Sequence, residues 1–309
     1  MKTIVHTAAN EIGKGGLHLS VFFLAVGFGL VTASILTLAA VGLALQFGIT
    51  NYVNFAYGEF LTMGAYFAWV LNRDLHINVW LAMIGGALLV GLCGVVINHI
   101  LLRPFVRKGI ALRYILIVTF GLSLILSNAI LAVWGANFQT FDVSTQLPFH
   151  AGPFSFTTNQ ILIMVVAFLA MLAVHLLLSR TKLGKAMRAM SDNHDLAMVC
   201  GIDNNRITAF TWMISGFLAG MAGVVLALDI TSFQPTLGND FLFVIFSAMV
   251  LGGIGSPYGA MLGSIVIGLA TEVSAVLVNS AFKDDIAFAI LILILLFRPQ
   301  GLMRVGGRN

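Results

Sequence analysis

Charged residues are scarce in this chain: lysine, arginine, aspartate and glutamate make up only 9% of its 309 residues, whereas hydrophobic residues make up 59%. A soluble domain carries about 25% charged residues, so this composition excludes one. Lipid leaves only helices and closed barrels to satisfy backbone polar groups. Because the apolar runs are continuous rather than short and alternating, they predict an all-α polytopic membrane protein.

Several chemistries lack the residues that they require. There are only two cysteines, Cys93 and Cys200, and they fall in an apolar run and a polar segment, so no disulfide is expected. The seven histidines are scattered, with no pair four residues apart, and predict no metal site. No G-x-x-x-x-G-K-[ST] loop exists, so we expect no Walker ATP site in this chain. We also expect no other cofactor and no catalytic residue.

The apolar runs predict about eight to nine transmembrane helices, some of them broken or re-entrant. Residues 1–20 show no signal-peptide pattern and are interpreted as an N-terminal extension, expected to form an interfacial helix. Residues 21–303 are predicted to be a single transmembrane domain and residues 304–309 a tail. The predicted spans are 24–48, 58–72, 78–102, 114–134, 160–179, 207–228, a short one at 240–251, 258–279 and 286–298.

The basic residues indicate an orientation. They gather in three connections, at 103–113, at 180–206 and after residue 297, whereas the connections 135–159 and 229–240 contain aspartate and no lysine or arginine. The positive-inside rule places the three basic connections in the cytoplasm. Nine crossings then put the N-terminus outside and the C-terminus inside. The orientation of the spans is enough to explain the excess of basic over acidic residues, so no nucleic-acid partner is expected.

Two segments break the helical pattern at predicted membrane depth. The first, 48–59, contains polar residues between two apolar runs, and the second, 251–259, contains glycines and a proline that cannot continue a helix. Broken helices of this kind line substrate pathways in transporters, although both breaks could also be tight turns at the membrane face. The candidate pathway residues are Asn51, Asn54, Phe55, Tyr57, Glu59, Gly252, Gly253 and Gly255.

Two carboxylates and several glycines lie within the predicted spans. Glu59 suits a helix N-terminus or a substrate contact, and Glu272 is expected to pair with a neighbouring subunit or to line the path. Gly255, Gly259 and Gly263 recur every four residues, as do Gly216 and Gly220, with Gly223 one turn on. This spacing favours close helix packing over contact with a ligand.

Residues 180–206, here called the polar segment, differ from everything around them. The segment begins with four basic residues, and its Leu183, Met187 and Met190 are spaced to bury one face of a helix. Gly184 and Gly201 are predicted to interrupt that helix, with Gly184 turning the backbone between two short helices. Such a segment would dock onto a soluble partner, or would be a plain solvated loop.

Four segments carry a family resemblance. The sequences NFAYGE at 54–59, RTKLGKAMRA at 180–189 continuing to Gly201-Ile202, VLGGIGSPYGAMLG at 250–263 and FRPQGL at 297–302 resemble motifs of the branched-chain amino acid ABC transporter permeases. The resemblance covers roughly residues 28–303. One departure is Tyr57, which stands where the family usually has histidine.

The resemblance implies a non-enzymatic subunit of an importer in the bacterial inner membrane, embedded in lipid. It implies a second permease chain, expected to be a different homologue, two ATP-binding subunits that hold ATP and magnesium, and a periplasmic solute-binding protein. The polar segment would be the cytoplasmic loop that docks the ATPase. Its implied docking residues are Lys182, Gly184, Arg188, Ala189, Ala197, Gly201 and Ile202.

The substrate stays open, because close relatives of these permeases carry urea or short amides. An ion-coupled secondary transporter and a passive solute channel are the other classes considered. The few charges within the spans argue against the first, and the polar segment argues against the second.

Overall fold

The computed structural model describes residues 14–143, 149–151, 154–277, 282–297 and 301–303, and these form a helical bundle. The helices are α1 (Lys14–Thr50), α2 (Tyr57–Arg73), α3 (Val79–Ile97), α4 (Arg103–Arg107), α5 (Leu112–Trp134), α6 (Thr158–Arg180), α7 (Lys182–Asp192), α8 (His194–Val199), α9 (Asn204–Asp229), α10 (Leu237–Gly252), α11 (Pro257–Leu277) and α12 (Lys283–Phe297). A π-helical turn, Asn98–Leu102, joins α3 to α4.

Six of the described helical segments are long and apolar enough to cross a membrane, and Leu237–Gly252 and Asp285–Phe297 are shorter apolar helices. Helix α2 corresponds to the predicted span 58–72, and 12 of its 17 residues are buried among the other helices. The polytopic helical fold is therefore confirmed, and each predicted span corresponds to a helix with similar bounds. Within the predicted N-terminal extension, residues 14–20 continue α1 without a break; residues 1–13 and the tail 304–309 lie outside the described residues.

The centre of the bundle is built from α1 and α9. In their most apolar stretches, 72% and 83% of the residues are buried, against 28% in both α5 and α6. Helices α2, α3 and α11 pack around this central pair. Small residues permit the close approach, since Gly64 of α2 faces Gly220 of α9 and Gly263 of α11 faces Ala248 of α10. Peripheral α5 and α6 leave large apolar side chains for lipid.

The helix ends define two ends of the bundle. Helices α1 and α11 run antiparallel, so Gly48 lies against Gly255 at one end, while Thr32 meets Glu272 far along the same pair. Helix α7 packs beside Gly48, and we call this end the docking end. Asp229, the last residue of α9, lies at the opposite end.

The opposite end also carries an element that the sequence did not predict. Within 135–159, Phe149–Ala151 and Phe154–Phe156 pair as a short antiparallel β-hairpin. Phe154 of the hairpin packs edge-on against Phe23 of α1, with ring centroids 5.8 Å apart. Thr157 and Gln160 then form a capping box that starts α6.

Candidate functional site

The first break, residues 51–56, folds back against α1. Asn51 has a positive φ of 59°, which turns the chain as α1 ends. Buried Asn54 donates from Nδ2 to Gln46 Oε1 at 3.5 Å and accepts from the Ala56 backbone N–H at 3.1 Å. The side chain of Asn54 therefore supplies a hydrogen-bond partner to the Ala56 backbone N–H, which is not part of a helix.

The residues that follow lie between helices rather than in solvent. The Tyr57 hydroxyl, fully buried, donates to the carbonyl of Ala39 at 2.9 Å. Glu59 is 1% exposed and lies in the first turn of α2; its Oε1 accepts from Ser123 Oγ at 3.2 Å. Among the described residues, Glu59 Oε2 has no hydrogen-bond partner. Half-buried Phe55 packs edge-on against Phe120 and Phe246.

The second break ends α10. Gly253 and Gly255 have φ values of 120° and 83°, which side chains with a β-carbon rarely adopt. The backbone N–H groups of Leu302 and Met303 donate to the carbonyls of Leu251 and Gly252 at 2.8 and 2.9 Å. Residues 301–303 thus complete hydrogen bonds that α10 leaves open where it stops.

The two breaks meet at the docking end. The backbone of Gly48, where α1 is about to enter the first break, lies against the backbone of Gly255 in the second. The rings of Phe55 and Phe246 also bridge the first break and α10, with centroids 5.6 Å apart. Two segments far apart in sequence therefore form one irregular region around the end of α1.

The polar segment forms two short helices, α7 and α8, which rest on this region. Thr181 caps α7 by accepting from the Gly184 N–H at 2.9 Å, and Asn193 caps α8 by accepting from the Leu196 N–H at 3.0 Å. Met187 and Met190 are buried and Leu183 is partly buried, as their spacing predicted.

One prediction for the polar segment is wrong. Gly184 does not turn the chain between the two short helices; it lies in the first turn of α7, and Asn193 makes the turn instead. A β-carbon at Gly184 would overlap the carbonyl oxygen of Leu177 and the backbone of Leu178. The glycine is therefore explained by close packing of α7 on the end of α6. Gly201, with φ of 83°, does turn the chain before α9.

The other implied docking residues divide into two groups. Lys182 and Arg188 are exposed on α7, where a partner could reach them. Ala197 is buried and Ala189 and Ile202 are partly buried, so these three pack the helix pair against the bundle. Arg188 and Ser191 of α7 line a cavity of about 200 Å³ together with Gly48 and Gly255.

A larger cavity, about 340 Å³, opens between helices at the opposite end. We call it the outer cavity. Its walls combine apolar side chains, including Ile35, Leu226 and Val244, with Asp229, Asp240 and Lys283. Asp229 Oδ1 accepts from Gln160 Nε2 at 3.3 Å, and Asp240 Oδ2 accepts from Thr236 Oγ1 at 2.8 Å.

Sequence reasoning missed the outer cavity, although a signal existed. Asp229, Asp240 and Lys283 each lie where a predicted span begins or ends, and alternation of the spans places all three on one side of the membrane. Glu272 binds two residues of the cavity lining. It forms an ion pair with Lys283 and accepts a hydrogen bond from Thr32 Oγ1 at 2.6 Å. In this structure Glu272 therefore has partners within its own chain.

A family model and similar known proteins both identify branched-chain amino acid transport permeases as relatives over most of the chain. Residues 25–295 match the family model described as the permease component of branched-chain amino acid transport systems. The high-affinity branched-chain amino acid transport system permease protein BraD of Pseudomonas aeruginosa is 34% identical, over 89% of this chain and 93% of the relative. The corresponding LivH of Escherichia coli is 32% identical with the same coverage.

A more distant relative is the ribose import permease protein RbsC of Escherichia coli, which is 24% identical over 84% of this chain and 81% of its own length. No solved structure gives a significant match to the chain. The chain has a polytopic helical fold, and the family model matches it from residue 25 to residue 295. It therefore belongs to the family of branched-chain amino acid transport system permease components.

Proposed function

We propose that this chain is the permease subunit of an ATP-driven importer for branched-chain or other hydrophobic amino acids. The observation that carries the proposal is that α7 packs beside the end of α1 and lines one cavity together with the second break. Gly48, in α1 just before the first break, and Gly255 of the second break line the same cavity as Arg188 of α7. A soluble motor that moves α7 would therefore move the parts of the bundle where helices are interrupted.

The proposal includes the partners and the orientation of the chain. The docking end faces the cytoplasm and two ATP-binding subunits, which hold ATP and magnesium. The outer cavity faces the periplasm of a bacterial cell and a solute-binding protein, and the C-terminus is cytoplasmic. A second permease chain, a different homologue, completes the pathway in the inner membrane. The basic residues at 103–113 and 180–206, both at the docking end, support this orientation.

The outer cavity favours an amino acid over a neutral solute. Asp229 and Asp240 can receive an ammonium group, and the apolar walls suit an aliphatic side chain. A sugar, urea or a short amide carries no positive charge, so it could not form the ion pair with these carboxylates that an ammonium group can form. From the outer cavity, we propose that the path passes the residues of the two breaks, including Phe55, Glu59 and Gly253.

Energy should come from outside the chain. Reconstituted alone in liposomes, the purified protein is expected to concentrate no amino acid under a proton or sodium gradient, because its sequence has no Walker loop for ATP and few charged residues within its predicted spans to couple uptake to an ion gradient. Together with its ATP-binding and solute-binding subunits, and with ATP inside the liposomes, it should concentrate leucine. The measurement is uptake of radiolabelled leucine. Uphill uptake by the single chain would show that it is a secondary transporter.

Removing charge from the outer cavity should impair uptake. For Asp229→Asn and Asp240→Asn, we expect the rate of leucine uptake at low substrate concentration to fall by about tenfold or more, since an ammonium loses a charged partner. Asp142→Asn is the matched control, because Asp142 is exposed and does not line the outer cavity. Equal uptake by all three variants would rule out the outer cavity as an amino-acid site.

A further inference from the structure

A separate cavity at the docking end, about 380 Å³, lies where the end of α1 meets α4, α8 and the start of α9. We call it the inner cavity. Its lining includes Arg103, Arg107 and His194 together with Asn204. Within the described part of the chain, no aspartate or glutamate lines it. The inner cavity is therefore basic, and its charge has no acidic counterpart in its own walls.

Three residues of its lining each carry a buried polar atom without a hydrogen-bond partner among the described residues. These atoms are Arg103 Nε, His194 Nδ1 and Asn204 Oδ1. His99 Nδ1 lies 3.0 Å from Arg103 Nη1 and so holds the guanidinium in place while its Nε–H is left over. Buried polar groups are usually hydrogen-bonded, so three unpaired atoms on residues around one basic cavity point to a polar ligand there.

The chemistry of these atoms specifies the ligand. Two guanidinium groups match the oxygens of a phosphate, and His194 can add a third donor. Asn204 Oδ1 only accepts, so the ligand must also carry a donor such as a hydroxyl. We propose that the inner cavity binds glycerol phosphate, either as the headgroup of phosphatidylglycerol or as the free molecule.

The surroundings favour the lipid as the source. Leu92, Val96 and Ile100 are exposed and follow one another every four residues along α3 and the π-helical turn toward Arg103. Val106, also exposed, lies at the edge of the inner cavity. Acyl chains can lie along this apolar stripe while the phosphate enters the cavity. Basic pockets between helices near the cytoplasmic face are suited to anionic headgroups.

The position of the inner cavity suits it to regulate coupling between the docking helices and the bundle, a role that goes beyond the proposed function. His194 begins α8, one of the two docking helices. Arg103 belongs to α4, which is joined to the membrane helix α3 by the π-helical turn. A phosphate held by both would tie the docking pair to the membrane-embedded bundle. Occupancy would then raise the efficiency with which movement of α7 and α8 reaches the breaks, whatever substrate is carried.

The test compares lipid binding in matched variants. The full-length chain, with the subunits that co-purify, is placed in nanodiscs of phosphatidylcholine with or without phosphatidylglycerol. The phosphatidylglycerol that stays bound after detergent washing is measured by native mass spectrometry. We expect Arg103→Gln and His194→Ala to retain it at least about tenfold less than the wild type. Arg113→Gln is the control, because Arg113 is exposed on α5 and does not line the inner cavity.

A second arm separates the two sources. Free glycerol phosphate is added to phosphatidylcholine nanodiscs and the unfolding temperature is recorded. Stabilisation that Arg103→Gln or His194→Ala removes would support the site with a soluble ligand; selective retention of phosphatidylglycerol alone would support the lipid. If Arg103→Gln fails to fold, His194→Ala decides. Equal lipid retention by the wild type and His194→Ala, without a response to glycerol phosphate, would overturn the proposal.

Discussion

Replacing Gly223 with leucine is expected to prevent the bundle from assembling. A β-carbon at Gly223 of α9 would overlap the backbone carbonyl of Leu61 in α2, so even the smallest side chain forces two buried helices apart. Overpacking a well-packed core costs about 1–3 kcal/mol where side chains can move, and here the obstacle is backbone, so we expect about 3 kcal/mol or more. The measurement is the monodisperse fraction on size-exclusion chromatography in mild detergent, together with the unfolding temperature.

Gly121→Leu is the matched control for Gly223→Leu. Gly121 lies within peripheral α5, and a β-carbon there would meet no atom within 4 Å among the described residues. Both changes add the same side chain to a membrane helix, so only the packing differs. Monodisperse, normally stable protein from Gly223→Leu would mean that α2 and α9 do not approach as closely as described.

Disturbing α7 should uncouple the permease from its ATPase while leaving the bundle folded. In Gly184→Val, the added side chain would push α7 away from Leu177 and Leu178. In Arg188→Glu, an exposed cation becomes an anion on the surface offered to the partner. Losing a buried charged contact at an interface costs about 2–5 kcal/mol, which weakens binding tenfold or much more. The measurements are co-purification of the ATP-binding subunits and substrate-stimulated ATP hydrolysis.

Lys108→Glu is the control for Arg188→Glu. Lys108 follows α4, is exposed, and lies outside the polar segment, so the reversal of charge is the same but the position is not on α7 or α8. We expect Lys108→Glu to keep normal assembly and hydrolysis. If Gly184→Val and Arg188→Glu also behave like the wild type, the polar segment is a solvated loop rather than a docking surface.

The membrane helices could be predicted because their signal is local. Continuous apolar runs such as Thr158–Arg180 have few alternatives in lipid, so composition alone locates them. Gly184 shows where local reasoning fails, because a glycine that breaks a helix and one that admits a neighbouring backbone look the same in sequence. The second case depends on the end of α6, which only tertiary structure brings to α7.

The polar clusters could not be predicted from the sequence either, because tertiary structure brings their members together. Glu272 was recognised as costly within a span, but its partners Lys283 and Thr32 come from α12 and α1. Arg103, His194 and Asn204 belong to three different elements, and each alone suits an ordinary loop at a membrane face. Only their common cavity and their unpaired atoms set them apart.

The hydrogen bonds from Leu302 and Met303 to the carbonyls of Leu251 and Gly252 set an order for biosynthesis. The ribosome releases α10 well before residues 301–303, so α11 and α12 must enter the membrane while those two carbonyls still lack their final partners. Ribosomes add only about 5–20 residues per second, which leaves time for a chaperone or the insertion machinery to protect that site. The second break therefore matures late in synthesis, and fusion tags are better attached beyond residue 303 through a flexible linker than placed directly against it.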